Sequence, residues 1–260
     1  MNKLFVYVDP GFIGPLGHYE TLATNIHNYC DLNDIEIKHY VYRSCAKSEV
    51  ERFNLINIFD DIAAINSFID EKEYKHRINS FNAGIIKICE DISNIHARYD
   101  KIDLFLYTGH PYYIQIILTN IIKYKLKKVK LHLTLFYLDE YFCREVKVSS
   151  YLHLLEETSN QINRSTQLGY VVNINSDSIN TINIYQPYFL NKINLLPIPL
   201  HCLPLDNNYR KKTEENCNVL YFGYCTKKHG ADLIYKLINN MCFNEINYTL
   251  CLKETIHIKN

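Results

Sequence analysis

Along its first two hundred residues, this chain changes repeatedly between two hydrophobic periods. Short apolar runs, such as residues 4–8, alternate with stretches in which apolar residues recur every three or four positions. Short runs bounded by turn residues are typical of buried parallel strands, and the longer period is typical of the helices that cover them. The pattern therefore predicts an α/β fold: a doubly wound, Rossmann-like parallel sheet.

Individual elements follow from the same pattern. The helix over residues 78–96 is the clearest, because its isoleucines recur in steps of three and four. Pro111 suits the first turn of another helix. The predicted strands are 4–8, 35–42, 103–107, 130–138, 170–174 and 193–196, and further helices are predicted from the region of Tyr19, over 148–168 and after Ser178.

A change of composition divides the chain. Residues 201–216 are rich in Pro, Asn, Lys and Glu, which predicts a linker. A strand (218–222), a turn, a helix (231–239) and a strand (247–252) follow. This second piece is shorter than the roughly 100 residues typical of an independent domain. We expect a first domain over 1–200, a linker over 201–216, and over 217–260 the start of a second α/β domain, which docks on the first or is completed by another chain.

Charge and cysteine content narrow the class of protein. The 28 basic and 28 acidic residues cancel, which argues against a general nucleic-acid binder. The basic run over 123–130 is interpreted as a solvated helix end, with a phosphate or membrane-surface patch as the alternative. Nine cysteines, an odd number without a CxxC pair, indicate reduced thiols, and no run of 18 apolar residues is present. We expect a cytoplasmic protein, with peripheral contact at the inner membrane face left open.

Reactive groups follow several predicted strands. In a doubly wound sheet, ligands bind beyond the carboxyl ends of the strands, so these groups are candidates for one site. The candidates are Gly17, His18 and Tyr19 after the first strand, His110 after a middle strand, Asp139 and Glu140 after the next, and Ser176 after the one following.

Each candidate has a functional and a purely structural interpretation. His110 is expected to face a cleft, where its imidazole and the free amides of a helix start meet an anion or a sugar hydroxyl, and the alternative is a capping or buried histidine. The glycines at 11, 14 and 17 do not form a GxGxxG pattern. Ser176 is more typical of a helix N-cap than of a nucleophile. Scattered histidines and cysteines, without a DxD pair, argue against a metal site.

Three segments resemble glycosyltransferases of the GT-B fold, in particular family 4. They are FVYVDPGFIGPLGHYETLATNI, then VVNINSDSINTINIYQPYF with NLLPIPL, and NVLYFGYCTKKHGADLIYKLI. The third looks like the first strand, turn and helix of the family's donor domain, with Gly223 and Gly230 at the family's separation. Where the family has basic residues beside these glycines this chain has Tyr224 and His229, which leaves Lys227 and Lys228 as substitutes.

The resemblance implies an activity and a set of roles. It implies a GT-B acceptor-side domain and a transferase of polysaccharide biosynthesis that moves a sugar from a nucleotide-sugar donor to a glycan or lipid-linked acceptor, without a metal or other cofactor. His110 matches the residue that touches the transferred sugar, while Gly17 and His18 would line the same cleft. Gly223, Lys227 and Lys228 would bind the donor. The alternative is a non-catalytic, truncated remnant that binds a saccharide or a protein.

Overall fold

The computed structural model describes residues 2–14, 17–61, 71–135, 148–176, 178–196, 219–223 and 248–252. The chain divides into two compact units, Met1–His201 and Cys202–Asn260. The first unit contains a seven-stranded sheet, and the second contains a two-stranded sheet.

The sheet of the first unit is parallel throughout, with the strand order β3-β2-β1-β4-β5-β6-β7. This order confirms the predicted α/β fold with a doubly wound, Rossmann-like sheet. The strands are β1 Lys3–Asp9, β2 Glu36–Tyr42, β3 Ile56–Phe59, β4 Lys101–Gly109, β5 Val129–Leu135, β6 Val171–Ser176 and β7 Ile193–Leu195; the helices are α1 Gly17–Leu32, α2 Lys47–Phe53, α3 Glu71–Ile95, α4 Pro111–Lys123, α5 Val148–Gln167 and α6 Ile179–Tyr185.

One face of the sheet is packed against α3, α4 and α5. Because side chains alternate along a strand, Leu4, Val6 and Val8 of β1 all point to this face. They join a large buried cluster to which β4, β5 and β6 also contribute, together with Ile88 of α3 and Ile117 of α4. This face is apolar from β2 to β7.

The opposite face is covered by α1 and α2. Tyr7, Phe105 and Tyr107 from β1 and β4 pack there against Leu22 of α1 and Phe53 of α2. In the described part of the chain, this cluster contains residues of β1, β2 and β4 and none of β5, β6 or β7. The half of the face over β5 and β6 carries mainly polar side chains, including Lys130, His132 and Asn173. We call it the open half-face.

Several boundaries differ from those predicted. The helix expected over 78–96 begins earlier, at Glu71, and α2 and β3 were not predicted. α2 spans only two turns and β3 only four residues, so neither repeats its hydrophobic period often enough to be distinguished from irregular sequence. The strand expected over 130–138 is seen as Val129–Leu135, and its predicted end lies outside the described residues. After α5 the chain turns at Gly169, whose φ of 88° favours glycine.

In the second unit, β8 Val219–Gly223 pairs in parallel with β9 Tyr248–Leu252. Both strands were predicted within one residue of these bounds. The predicted linker (201–216) and helix (231–239) lie outside the described residues. Of the helices that the structure describes, none has the length and apolar character needed to cross a bilayer.

Candidate functional site

The candidate site follows from the order of the strands. β1 and β4 are neighbours in the sheet, and the chain winds away from them in opposite directions, through β2 and β3 on one side and through β5 to β7 on the other. Such a switch point leaves a crevice beyond the carboxyl ends of the two strands, where ligands of doubly wound folds bind. In this chain the corresponding place lies between the segment after Asp9 and the segment after Gly109.

The segment after β1 is closely packed. Phe12 is fully buried, and its amide donates to the Asp9 carbonyl oxygen at 3.1 Å. The Ile13 carbonyl accepts from the amide of Ala46, just before α2, at 3.1 Å. A Cβ placed on Gly11 would lie 3.3 Å from the hydroxyl oxygen of Tyr19. The predicted candidate Tyr19 therefore reaches back from α1 over the end of β1.

Asp9 is the residue of this segment that sequence reasoning missed. Its side chain is fully buried, its Oδ2 accepts from the Tyr7 hydroxyl at 2.8 Å, and no group of the described residues is within hydrogen-bonding geometry of its Oδ1. Burial raises the pKa of the Asp9 carboxyl to about 7, although the Tyr7 hydroxyl and the amides of Gly11 and Phe12 lower it. The signal available in the sequence was an Asp directly after an apolar strand, but a sequence does not show burial.

A stack of buried rings lies beneath Asp9 on the same face. The Tyr7 ring stacks on His39 with centroids 4.2 Å apart, and His39 Nδ1 is 3.2 Å from His27 Nε2. Burial lowers the pKa of His39 well below its usual value, and the neighbouring His27 lowers it further. Burial also raises the pKa of Tyr7 well above its usual range. The groups below the segment are therefore held in their uncharged forms.

The segment after β4 begins at a glycine that has no room for a side chain. A Cβ on Gly109 would lie 2.2 Å from the backbone carbonyl oxygen of Thr134 on β5. The pairing of β4 with β5 is irregular here, between Leu106 and Gly109. The close approach brings His110 to the edge of the sheet as the N-cap of α4, followed by Pro111 at the first helical position.

His110 makes the contacts of a capping residue. The Tyr112 amide donates to His110 Nδ1 at 3.3 Å, and the His110 carbonyl accepts from the amide of Tyr113 at 2.8 Å. Its ring lies against the ring of Tyr112, with centroids 5.6 Å apart, and only 3% of the residue is exposed. Burial lowers the pKa of His110 to about 3, so the imidazole is neutral at physiological pH. In this structure His110 is thus a buried capping residue, which is the structural alternative, and its contact with a sugar stays a prediction.

The other candidates of the first unit are placed as follows. Gly17 is the first residue of α1 and His18 the second, and Tyr19 lies edge-on to Tyr107 with centroids 6.0 Å apart. Ser176 ends β6, is fully buried, and its Oγ accepts from the Ser178 amide at 3.4 Å. Ser178, and not Ser176, is the N-cap of α6. Asp139 and Glu140 lie outside the described residues.

In the second unit, Gly223 ends β8, while Lys227 and Lys228 lie outside the described residues. No three His, Cys, Asp or Glu side chains within the described ranges come together in a way that would hold a metal ion. The reaction without a metal stays a prediction. The first unit thus brings Asp9, Tyr19 and His110 to the two segments of the switch point, and Ser176 to the same edge two strands away.

The chain is similar to known proteins in structure but not in sequence. No protein-family profile matches the chain, and no curated protein sequence matches it. Among solved structures, the crystal structure of Acinetobacter baumannii MurG is similar to this chain, with a TM-score of 0.47 and 8% identity, over 99% of this chain and 69% of that chain. The doubly wound fold is established by the strand order and pairing of the chain itself.

Proposed function

We propose that this chain is a GT-B type glycosyltransferase that moves a sugar from a nucleotide-sugar donor to a glycan or lipid-linked acceptor. The observation that carries the proposal is the switch point between β1 and β4, where a glycine-containing segment and the N-terminus of α4 lie at the same edge of the sheet. This is the place at which a doubly wound domain binds a ligand. The family resemblance of the sequence supplies the class of ligand.

The groups at this edge suit hydroxyl recognition and proton transfer. The neutral imidazole of His110 can bind a sugar hydroxyl through a hydrogen bond without a charge of its own. A carboxyl with a pKa near 7, such as Asp9, can accept a proton from an acceptor hydroxyl or return it. Asp9 is buried in the present conformation, so this role requires the 10–14 segment or Tyr19 to move when substrate binds.

The proposal extends to the domain organisation. In it, residues 1–200 form the acceptor-side domain, 201–216 form the linker and 217–260 form the opening of the donor-side domain. Gly223 with Lys227 and Lys228 would contact the donor diphosphate, because a Lys-bearing turn at a helix start offers both cations and free amides to an anion. Gly17, His18, Tyr19, Asp139, Glu140 and Ser176 would contact the acceptor or the transferred sugar.

A second function, binding without catalysis, is favoured by the state of His110. The ring is buried and caps α4, so its contacts are explained without any substrate. In this alternative the first unit recognises a saccharide or a protein and transfers nothing.

A thermal-shift titration of the full chain separates the two functions. The ligands are a panel of nucleoside diphosphates and the matching nucleotide-sugars. Saturable stabilisation by one nucleotide is the expected result, and hydrolysis or transfer assays with that nucleotide-sugar then follow. Leu32→Ala, on the exposed end of α1, is the control variant and should respond as the unmodified chain does. A cooperatively melting chain that responds to no nucleotide would overturn the transferase proposal.

A further inference from the structure

A cavity of about 440 Å³ lies between α1 and the open half-face of the sheet. Its lining includes Phe5, Tyr29, Phe105, His132 and Asn175. It includes none of Asp9, Gly109 or His110, so it is separate from the site at the switch point. Cavities of this size that are mostly apolar and contain a few fixed polar groups are typical of small-molecule sites.

Aromatic rings form much of the apolar part of the cavity. Phe5 and Phe105 come from neighbouring strands, and their ring centroids are 6.2 Å apart. Tyr29 stands on α1 with 62% of its surface exposed, which is unusual for so large a ring. The cavity therefore offers flat, apolar surfaces from both the sheet and the helix.

The polar part is formed by β5 and β6. His132 Nε2 lies 3.0 Å from Asp103 Oδ1, and Lys101 Nζ lies 2.7 Å from Asp103 Oδ2, so the imidazole is fixed. No group in the described part of the chain hydrogen-bonds to His132 Nδ1, which can therefore bind a ligand. Asn175 pairs in register with Thr134 on β5. The Asn175 side chain lines the cavity, so its amide can hydrogen-bond a ligand hydroxyl beside His132.

The lack of charged side chains in the described lining limits the class of ligand that the cavity can bind. Among the described residues that line it there is no Lys, Arg, Asp or Glu. The Asp103 carboxylate beside it is neutralised by Lys101. A phosphate or carboxylate ligand would thus lose its hydration without gaining a counter-charge. The lining favours a neutral ligand that is apolar on its faces and carries hydroxyl groups at its edge.

We propose that this cavity is a binding site for a neutral pyranose ring, which stacks on the aromatic side chains and donates hydroxyl hydrogen bonds to His132 and Asn175. A pyranose fits this lining because its C–H groups form an apolar face and its hydroxyls project around the rim. The site is additional to the proposed transfer site, and it would hold a saccharide whether or not the chain is a transferase.

Saturation-transfer-difference NMR on the full chain tests the site. The probes are methyl glucoside, maltose and cellobiose, with cyclohexanol as an apolar ring of similar size and uridine diphosphate as a charged ligand. Tyr29→Ala removes the exposed ring of the helix wall and should weaken saccharide binding about three- to tenfold. Tyr29→Phe keeps the ring, and Leu32→Ala changes an exposed residue of the same helix outside the cavity, so both should bind as the unmodified chain does. His132→Phe keeps the ring volume but removes the hydroxyl partner, and it should also weaken binding.

Saturable binding of a saccharide that is weakened by Tyr29→Ala and His132→Phe, and unchanged in the two controls, supports the site. Three results would overturn it: no saccharide binds, binding is equal in all folded variants, or cyclohexanol alone binds. A dimer that Tyr29→Ala abolishes, without saccharide binding, would also overturn it and would assign the face to self-association. Because the uridine diphosphate response is recorded separately, failure here is distinguishable from failure of the transferase proposal.

Discussion

The two faces of the same sheet are built in different ways. The face under α3, α4 and α5 is a continuous apolar cluster that runs from β2 to β7. The face under α1 and α2 is apolar only over β1, β2 and β4, and it carries the buried groups Asp9 and His39 and the partly buried His27, together with the polar open half-face. One face therefore supplies most of the stability of the fold, and the other holds the ionisable groups and the cavity.

The difference shows how one sheet serves two purposes. Burying apolar side chains on both surfaces of every strand would give the most stable domain, with about 25 cal/mol gained for each Å² removed from water. The open half-face forgoes part of that gain, and the unpaired oxygens of Asp9 and Thr134 add a cost. Such costs are typical of surfaces that bind ligands.

The largest loss of stability is expected from a substitution on the apolar face under α3, α4 and α5. Ile117 of α4 is fully buried there, and Ile117→Ala should lower the free energy of unfolding by about 2–5 kcal/mol, because it removes buried methyl groups and leaves a cavity. Urea denaturation followed by circular dichroism measures the change. A loss below about 1 kcal/mol, with an unchanged dependence on urea, would mean that this face is not the tightly packed one.

The next largest effect is the pH dependence of stability that the buried carboxyl of Asp9 produces on the other face. The pKa of Asp9 is raised from 3.8 to about 7 in the folded chain, so between these values the folded state holds a proton that the unfolded state releases. Its contribution to stability is thus complete below about pH 4 and is lost as the pH rises through 7. The free energy of unfolding of Asp9→Asn, relative to that of the unmodified chain, should therefore rise by about 2–4 kcal/mol between pH 4 and pH 8. The free energy of unfolding of both proteins is measured by urea denaturation from pH 4 to pH 8. If it depends on pH in the same way in both, the pKa of Asp9 is not raised.

Substitution of His110 distinguishes a role in capping α4 from a role in contacting the sugar. His110→Ala should lower the free energy of unfolding by about 1–3 kcal/mol, because it removes the cap of α4 and buried volume. His110→Asn keeps a capping side chain and should recover part of the loss. If transfer activity is found, the prediction from the sequence is that His110→Ala abolishes it, and a direct contact of His110 with the sugar predicts the same loss in His110→Asn. Thermal melts measure the change in stability, and the transfer assay measures the change in activity. If His110→Asn regains both stability and activity, His110 has a positioning role only.

The smallest effect is expected on the open half-face. Val171 of β6 is 50% exposed, so Val171→Ala should change the free energy of unfolding by no more than about 0.5 kcal/mol. The same denaturation experiment as for Ile117 provides the comparison. A loss comparable with that of Ile117→Ala would show that Val171 is covered, and the contrast between the two faces would then fail.

Much of the fold could be predicted from the sequence because long periodic segments carry a strong signal. The isoleucine repeat of α3 and the apolar run of β1 were both recognised. α2 and β3 were missed, because Lys47–Phe53 and Ile56–Phe59 contain only about two hydrophobic periods each, which is too few for a clear pattern. The strand order, which creates the switch point, depends on pairing between distant segments and is not written in any local pattern.

The candidate site could be predicted only in position. His110 was correctly expected where a strand ends and a helix begins, but its burial depends on how Tyr112 and Tyr113 pack around it. Asp9 directly follows the strand predicted over residues 4–8 and was not among the candidates, because nothing in the sequence indicates that it is buried. The cavity beside His132 and Asn175 was not foreseen, since its walls come from one helix and four strands of separate sequence.

The close approach of Gly109 to the Thr134 carbonyl has a consequence for how the chain can evolve. The obstacle there is backbone, so in a library that samples every codon at position 109 only glycine codons should yield folded protein. At Gly11 the nearest atom is the far end of the flexible Tyr19 side chain, and an alanine codon should be accepted. Substitution is thus blocked at Gly109, where β4 meets β5, and permitted at Gly11 in the segment after β1, so the two segments of the candidate site differ in how much sequence change they tolerate.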